Sequence, residues 1–407
     1  MHKINQPSVN RSSTDRQPSF PSWPSYAPDE IETVVKILQS GKVNYWTGNE
    51  GKTFEQEFAN YIGKKYGVAL ANGTLALELA LYALDIGPGD EVIIPSRTYF
   101  ATASSVVTRG ATPVIADIDP ISGNLSASTV AQVITSRTRA IIPVHMAGWP
   151  CDMNPLQDLA SKHNLYLVED CAQAHGARYN GQRVGSFGIC SAFSFCQDKI
   201  ITTGGEGGIL LTDDESIWRR AWEYKDHGKS WSAVSSKDHP AGFRWLHESF
   251  GSNWRMTEMQ AGIGRCQLRK LSDWLTIRRR NSLQLAAGLR SVRGLITPMP
   301  PSNIEHAWYK FYTFIDLSCL KSDWNQPRVI DAINAEGIPC MSGTCSEIYR
   351  EKAFTNLGCY RGLSTPVAQN YSKSSLMFHV HPNISELEIS ATIAAIRKVM
   401  AVAVSEV

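Results

Sequence analysis

Three short stretches carry residue types that could do chemistry. In FSFCQDKIITTGGEGG (residues 193–208) one lysine, Lys199, stands between an apolar triplet and a glycine-rich run. A lysine at the end of a buried strand is partly desolvated, which favours the neutral amine, and a neutral amine attacks a carbonyl to form a Schiff base. The glycines also admit a phosphate loop. A Walker or Rossmann loop, however, follows a strand and opens a helix, whereas GGEGG precedes the apolar run ILLT and no Gly-Lys-Ser/Thr follows. The glycines suit a backbone that turns tightly beside a bound ligand. In VEDCAQAHG (168–176) Asp170 falls at the C-terminal tip of a predicted strand, where open α/β sheets bind ligands, although a helix N-cap is an equal local account. In ANGTLALELAL (71–81) Asn72, Gly73 and Thr74 lie between a strand and a helix, which suits a bound phosphate and equally a plain helix cap.

The elements that must position these residues follow from apolar periodicity. YGVALA (66–71), EVIIPS (91–96), TPVIADI (112–118), TRAIIPVH (138–145), LYLVED (165–170), SAFSF (191–195) and GGILLT (207–212) read as seven strands, and amphipathic segments such as LALELALYALDI and PLQDLASKHN separate most of them. That alternation predicts an α/β fold: a large domain with a mostly parallel seven-stranded sheet flanked by helices. Strands that are solid apolar runs fit a sheet covered on both faces. Beyond RMTEMQAGIGRCQLRKL (255–271) a helical stretch runs to about residue 292, and Pro-rich RGLITPMPPSN marks a boundary. A strand in YKFYTFIDL, a helix in RVIDAINAEG and a terminal helix opened by Ser385 and Glu388 as a capping box predict a small C-terminal α/β domain. The expected division is a disordered or surface segment 1–20, a large domain 21–270 and a small domain 271–407 that includes the long linking helix.

With 407 residues, 43% of them hydrophobic, the chain can bury a sizeable core. A net charge of +2 without a long basic block points away from nucleic acid and anionic membranes and toward small molecules. Nine cysteines without repeated spacing describe neither a disulfide framework nor a zinc site, so a reducing cytoplasm and no metal are expected. The N-terminus has no apolar h-region and no later apolar run approaches ~18 residues, so neither secretion nor a membrane span is expected.

From about Val35 to Pro382 the chain resembles the DegT/StrS-type nucleotide-sugar aminotransferases, pyridoxal 5'-phosphate (PLP) enzymes with the aspartate-aminotransferase fold. The resemblance rests on FEQEFANYIGKKYGVALANGTLALELAL, PSRTYFATASSVV, PVHMAGWPCDM, VEDCAQAHGA, FSFCQDK with GEGG, and GSNWRMTEMQAGIG, in that order. It implies that Lys199 forms the Schiff base with PLP, that Asp170 pairs with the pyridinium nitrogen and that Gln173 lies near the cofactor's 3-hydroxyl. It further implies that Tyr99 stacks on the ring, that Gly73, Thr74 and Ser194 cradle the phosphate, and that Asn253 reaches the phosphate from a neighbouring subunit. A homodimer with shared active sites follows.

The implied reaction moves nitrogen from glutamate to a nucleotide-linked keto sugar, first a UDP-linked 2-acetamido-4-keto-6-deoxyhexose, with dTDP-4-keto-6-deoxyglucose as the alternative. Trp46, Thr47 and the loop YKDHGKSW (224–231), with Lys225, His227 and Lys229, are expected to meet the nucleotide sugar; a solvated charged loop is the plainer account of the latter. Three departures from the family pattern stand out: one additional glycine between Lys199 and GEGG, Tyr309 of HAWYKFY, expected as a substrate contact, where many relatives carry histidine, and Cys171, read as a small buried hydrophobe, where alanine is common. A PLP-dependent dehydratase of the same family would carry histidine at the lysine position, and a non-catalytic binding or regulatory protein would not need every cofactor residue; Lys199 and the complete motif set speak against both.

Overall fold

The computed structural model describes residues 20–236, 242–357 and 360–405, so the expectation for residues 1–19 lies outside the described residues. All seven expected strands form: β1 (Tyr66–Leu70), β2 (Glu91–Pro95), β3 (Thr112–Ala116), β4 (Thr138–Ile141), β5 (Tyr166–Asp170), β6 (Cys190–Ser194) and β7 (Gly208–Thr212). An eighth, β8 (Arg361–Gly362), comes from far down the chain and extends the β3 edge. The order is β1-β7-β6-β5-β4-β2-β3-β8. Every residue of β2, β6 and β7 is buried, as solid apolar strands covered on both faces should be.

Neighbours from β8 to β6 pair in parallel, and β7 runs antiparallel to both β6 and β1. The reason is local. Parallel neighbours are joined here through crossover segments, but residues 195–207 connect β6 to β7 without a helix, so the chain folds back on itself. Lys199 sits in that fold-back, at the carboxyl edge of the parallel strands, near enough to the tip of β5 for its charge to act on Asp170.

Beyond the sheet, helix Glu258–Leu289 passes unbroken through residue 270, the expected boundary. Ala261 and Leu271 pack with Phe54, Phe58 and Phe195, whereas Leu285, Ala286 and Leu289 pack with Phe311, Leu376 and Ile396 of a second core. That second core is built on a four-stranded antiparallel sheet, Leu295–Ile296, Phe311–Ile315, Ser375–Phe378 and Cys340–Met341 in spatial order, with helices Gln326–Ala335 and Glu386–Ala403 against it. Ser385 caps the last helix together with Glu388, as expected. The chain crosses between the two cores more than once: Phe20 packs on the second, while Ile348 and Phe354 join the core of the large sheet. Among the described residues, no helix is long and apolar enough to cross a membrane.

Candidate active site

Asp170 ends β5 with its side chain buried. Thr102 Oγ1 donates to Oδ2 at 2.9 Å, and the Ala172 N–H donates to Oδ1 at 3.1 Å. Thr102 is held in turn by a 2.8 Å hydroxyl contact with Thr98, one residue before Tyr99. Burial pushes the Asp170 carboxyl above its ordinary value, although both hydrogen bonds and the positive charge of Lys199 pull the other way. A buried carboxylate in that condition is suited to a cationic partner. Gln173, also buried, accepts from the Ala147 N–H at 2.8 Å and so ties the β5 tip to the segment after β4.

Gly73 opens helix Gly73–Ala83, whose N-cap Asn72 accepts from the Leu75 N–H at 3.0 Å. A Cβ on Gly73 would lie 2.6 Å from Ser194 Cβ, so only glycine lets the helix N-terminus close on the tip of β6. Gly208 is required for the same reason, since its Cβ would lie 2.3 Å from the Asn72 carbonyl oxygen. The helix N-terminus at Gly73 and Thr74 therefore lies against Ser194 at the tip of β6, a place suited to bind a phosphate.

The Lys199 side-chain amine has no hydrogen-bond partner among the described residues, and its Nζ lies 5.0 Å from the Tyr309 ring centroid. The Tyr309 hydroxyl donates to Asp198 Oδ2, and Lys310 Nζ stands 3.6 Å from the same oxygen. Partial burial pushes the Asp198 carboxyl up, but Lys199, the tyrosine hydroxyl and Lys310 together hold it below its ordinary value. Tyr309, expected as a substrate contact, thus has its hydroxyl committed to Asp198. Trp23 fixes the lysine segment from outside by donating its indole N–H to the Lys199 carbonyl at 2.8 Å.

The remaining expected residues divide. Tyr99 is 70% exposed. Asn253 is exposed as well, on a segment that pairs with the end of β1 through Ala71 N–H to Trp254 O at 2.9 Å. Trp46 and Lys229 do come together, with Nζ 4.4 Å from the indole ring, whereas Thr47 lies exposed in a turn closed on Asn44 and His227 is exposed with φ +64°. Lys225 is a correction. It does not belong to a charged loop but ends helix Glu215–Lys225, fully buried 3.9 Å from the Tyr45 ring centroid and 3.7 Å from Glu55, because its long stem completes the apolar packing of that helix.

Several residues at this site were not singled out from sequence: Thr102, Asp198, Trp23 and His175. Asp198 adjoins Lys199 in FCQDK, and Thr98 and Thr102 are spaced i, i+4, so both had a signal; Trp23 had none. His145, Glu169 and Cys171 gather behind Asp170 with potential ligand atoms within 4.8 Å of one another. Both ring nitrogens of His145 are already engaged, Nδ1 by the Cys151 N–H at 3.0 Å and Nε2 by Glu169 at 3.1 Å. Glu169 also accepts from the N–H groups of Gly185, Phe187 and Gly188. The cluster is a hydrogen-bonded support for the β5 tip. Cys171 is fully buried, matching its reading as a small hydrophobe.

His175 is buried among Phe58, Phe193 and Phe195. Burial, and secondarily the charge of Lys199, lower its pKa to about 3. The unfolded chain binds a proton on this ring below about 6.5 and the native chain does not, so its contribution to stability falls as pH drops from 6.5 toward 3. Between pH 6.5 and 5, His175→Phe should therefore lose less stability than the parent, by up to ~2 kcal/mol. Urea unfolding of both proteins at the two pH values measures this, and equal pH dependence would show that His175 is not a buried neutral ring.

A lone amine, a buried acid suited to a cation and a phosphate cradle along one edge of an α/β sheet together define the class of a PLP-dependent transaminase. The comparisons agree. Residues 24–397 match the DegT/DnrJ/EryC1/StrS aminotransferase family, and the chain belongs to that family. It is 36% identical to a UDP-N-acetyl-3-dehydro-α-D-glucosamine 3-aminotransferase of Acidithiobacillus ferrooxidans, over 92% of this chain and 95% of that one. It is 32% identical to a dTDP-3-amino-3,4,6-trideoxy-α-D-glucose transaminase of Streptomyces venezuelae, over 96% and 97%. The crystal structure of an aminotransferase from Psychrobacter cryohalolentis superposes with a TM-score of 0.92 at 50% identity, covering 95% of this chain and all of that one. The protein is a PLP-dependent sugar aminotransferase.

Proposed function

We propose that the enzyme moves the amino group of glutamate to the keto carbon of a UDP-linked 2-acetamido-4-keto-6-deoxyhexose, giving a 4-amino sugar for a surface polysaccharide or glycan. The observation that carries the transaminase site is the Lys199 amine, without a hydrogen-bond partner among the described residues, at the same sheet edge as the buried Asp170 carboxyl. In this reading Lys199 takes the proton from the donor's α-carbon, and later handles the proton at the accepting sugar carbon. Asp170 stabilises a protonated ring nitrogen, oriented by Thr102 and Ala172. Gln173 would hold the 3-hydroxyl of bound PLP, Tyr99 its ring, and Gly73, Thr74 and Ser194 its phosphate. PLP, when bound, supplies the electron sink. Trp46 and Lys229, already paired, are the favoured nucleotide-sugar contacts, with Thr47 and His227 beside them.

The UDP-linked N-acetyl sugar is supported by the relative from A. ferrooxidans, whose name places the amination at C3 and so favours a 3-keto sugar as the second reading. The S. venezuelae relative supports the dTDP-linked alternative. Incubation with glutamate and a panel of UDP- and dTDP-linked 3-keto and 4-keto sugars, followed by mass spectrometry and NMR of the product, decides between them. A product aminated at C4 of the UDP sugar is expected, and a C3 or dTDP product would overturn that choice.

The homodimer with shared sites is part of the same proposal. Phe243, Trp245 and Phe250 are 79%, 87% and 98% exposed just ahead of Asn253, and surface apolar groups of that size favour a covering partner. If Asn253 serves the other subunit's phosphate, Lys199→Ala and Asn253→Asp, each nearly inactive alone, form mixed dimers with one doubly damaged and one intact site. Subunit exchange should then restore up to about a quarter of the parent's specific activity when half the dimers are mixed. Heterodimers verified by a tag on one subunit but showing no activity would return Asn253 to its own chain.

A further inference from the structure

Arg97 follows β2 at the carboxyl edge of the sheet, and its side chain is 3% exposed. Its guanidinium lies 4.6 Å from the Tyr312 ring centroid and 5.1 Å from that of Tyr371. Nε and Nη2 are buried without a hydrogen-bond partner, and no carboxylate pairs with the group among the described residues. Asp119, on the neighbouring turn, turns Oδ1 to the N–H groups of Ile121 and Ser122 and the Ser122 hydroxyl and forms no salt bridge with Arg97. A permanently charged group in this condition is costly unless something absent from the chain completes it.

Arg97 also lines a cleft with Ser122, Met146, Ala147, Trp308 and Tyr312. Ala147 connects this cleft to the reaction centre: its N–H bonds Gln173, and its carbonyl accepts from the Tyr309 N–H at 2.9 Å. The same loop bears Arg97 on one side and, through Thr98 and Thr102, Asp170 on the other. The tips of β2 and β5 are two strand spacings apart, about 10 Å, the reach of a substrate whose reacting carbon lies over the cofactor. The cleft encloses about 30 Å³, room for roughly two waters and so for a group the size of a carboxylate.

We infer that Arg97, its guanidinium stacked by Tyr312 and Tyr371, is a carboxylate-binding residue of the substrate site and holds one carboxylate in the cleft that it lines with Ser122, Met146 and Trp308. The inference rests on the transaminase reading above. Two sources supply this chemistry: a carboxylate of the amino donor, or a carboxylate at C6 of the sugar, in which case the acceptor is a keto uronic acid and not a 6-deoxy sugar.

The test uses the PLP-loaded dimer or whichever assembly forms, with Arg97→Gln and the charge-keeping Arg97→Lys. One arm follows conversion of the bound cofactor by L-glutamate without sugar, read by absorbance. The other compares binding of UDP-glucuronic acid and UDP-glucose by calorimetry. With the donor as source, Arg97→Gln should raise half-saturating glutamate by about tenfold to a hundredfold, and Arg97→Lys by less, while the two UDP-sugars bind the parent alike. With the sugar as source, the parent should prefer UDP-glucuronic acid by at least about tenfold, Arg97→Gln should remove the preference, and the glutamate arm should stay unchanged. If Arg97→Gln does not fold, Arg97→Lys is read alone by the same criteria. A folded, loaded variant that matches the parent in both arms overturns the inference. A parent that neither responds to glutamate nor binds either UDP-sugar refutes the donor and nucleotide reading instead.

Discussion

Replacing Lys199 by alanine should abolish turnover, by at least about 10⁴-fold, and with it the visible absorbance of the covalently held cofactor. The expectation rests on position. Asp198, Tyr309 and Lys310 surround Lys199 with groups already engaged in one another, so the Lys199 amine is left free to react. Among the described residues Lys310 is the nearby amine that could substitute, and burial lowers its pKa to about 8, but it is engaged with Asp198 and His379. Borohydride reduction followed by peptide mass spectrometry provides a readout independent of activity: the parent should carry the cofactor on Lys199, and the variant on no lysine. Cofactor found on Lys310, or turnover near that of the parent in Lys199→Ala, would overturn the assignment.

Asp170→Asn should leave the fold and cofactor binding largely intact and lower turnover by about 10²–10⁴-fold. The amide is isosteric and can still accept from Thr102, but it cannot favour a protonated ring nitrogen by charge. Losing one member of a buried charge pair costs about 3–5 kcal/mol, which sets the scale of the loss. Cofactor content by absorbance and steady-state rates with glutamate measure both parts. Retention of most activity with full cofactor occupancy would mean that the ring nitrogen lies elsewhere than over Asp170.

Much of this architecture was legible in the chain because it is written locally. Seven apolar runs became seven strands within a residue or two at most ends, since a strand buried on both faces has little choice of residue type. The capping box of Ser385 and Glu388 and the glycine at the start of helix Gly73–Ala83 were likewise local. The eighth strand was not legible: Arg361–Gly362 is two exposed residues with no apolar signal, and it becomes a strand only because β3 offers an open edge. Lys225 was misjudged because charge was read as exposure, whereas burial depended on Tyr45 and Glu55, distant in sequence.

Residue type and order alone determined the class of chemistry: an amine, an acid at a strand tip and a helix N-terminus bordered by glycine. The tertiary structure decided what state those groups are in. Asp170 is raised by burial and held by Thr102, a residue 68 positions away. Lys199 is surrounded by Tyr309 and Asp198 and fixed by Trp23, 176 positions away. Arg97 is charged by its identity, but that it is buried without a counter-ion depends on Tyr312 and Tyr371 closing over it. The physical reason is the same throughout. Protonation and reactivity follow from solvent exclusion and the placing of opposite charges, and both are made by chain segments that meet only when the protein folds.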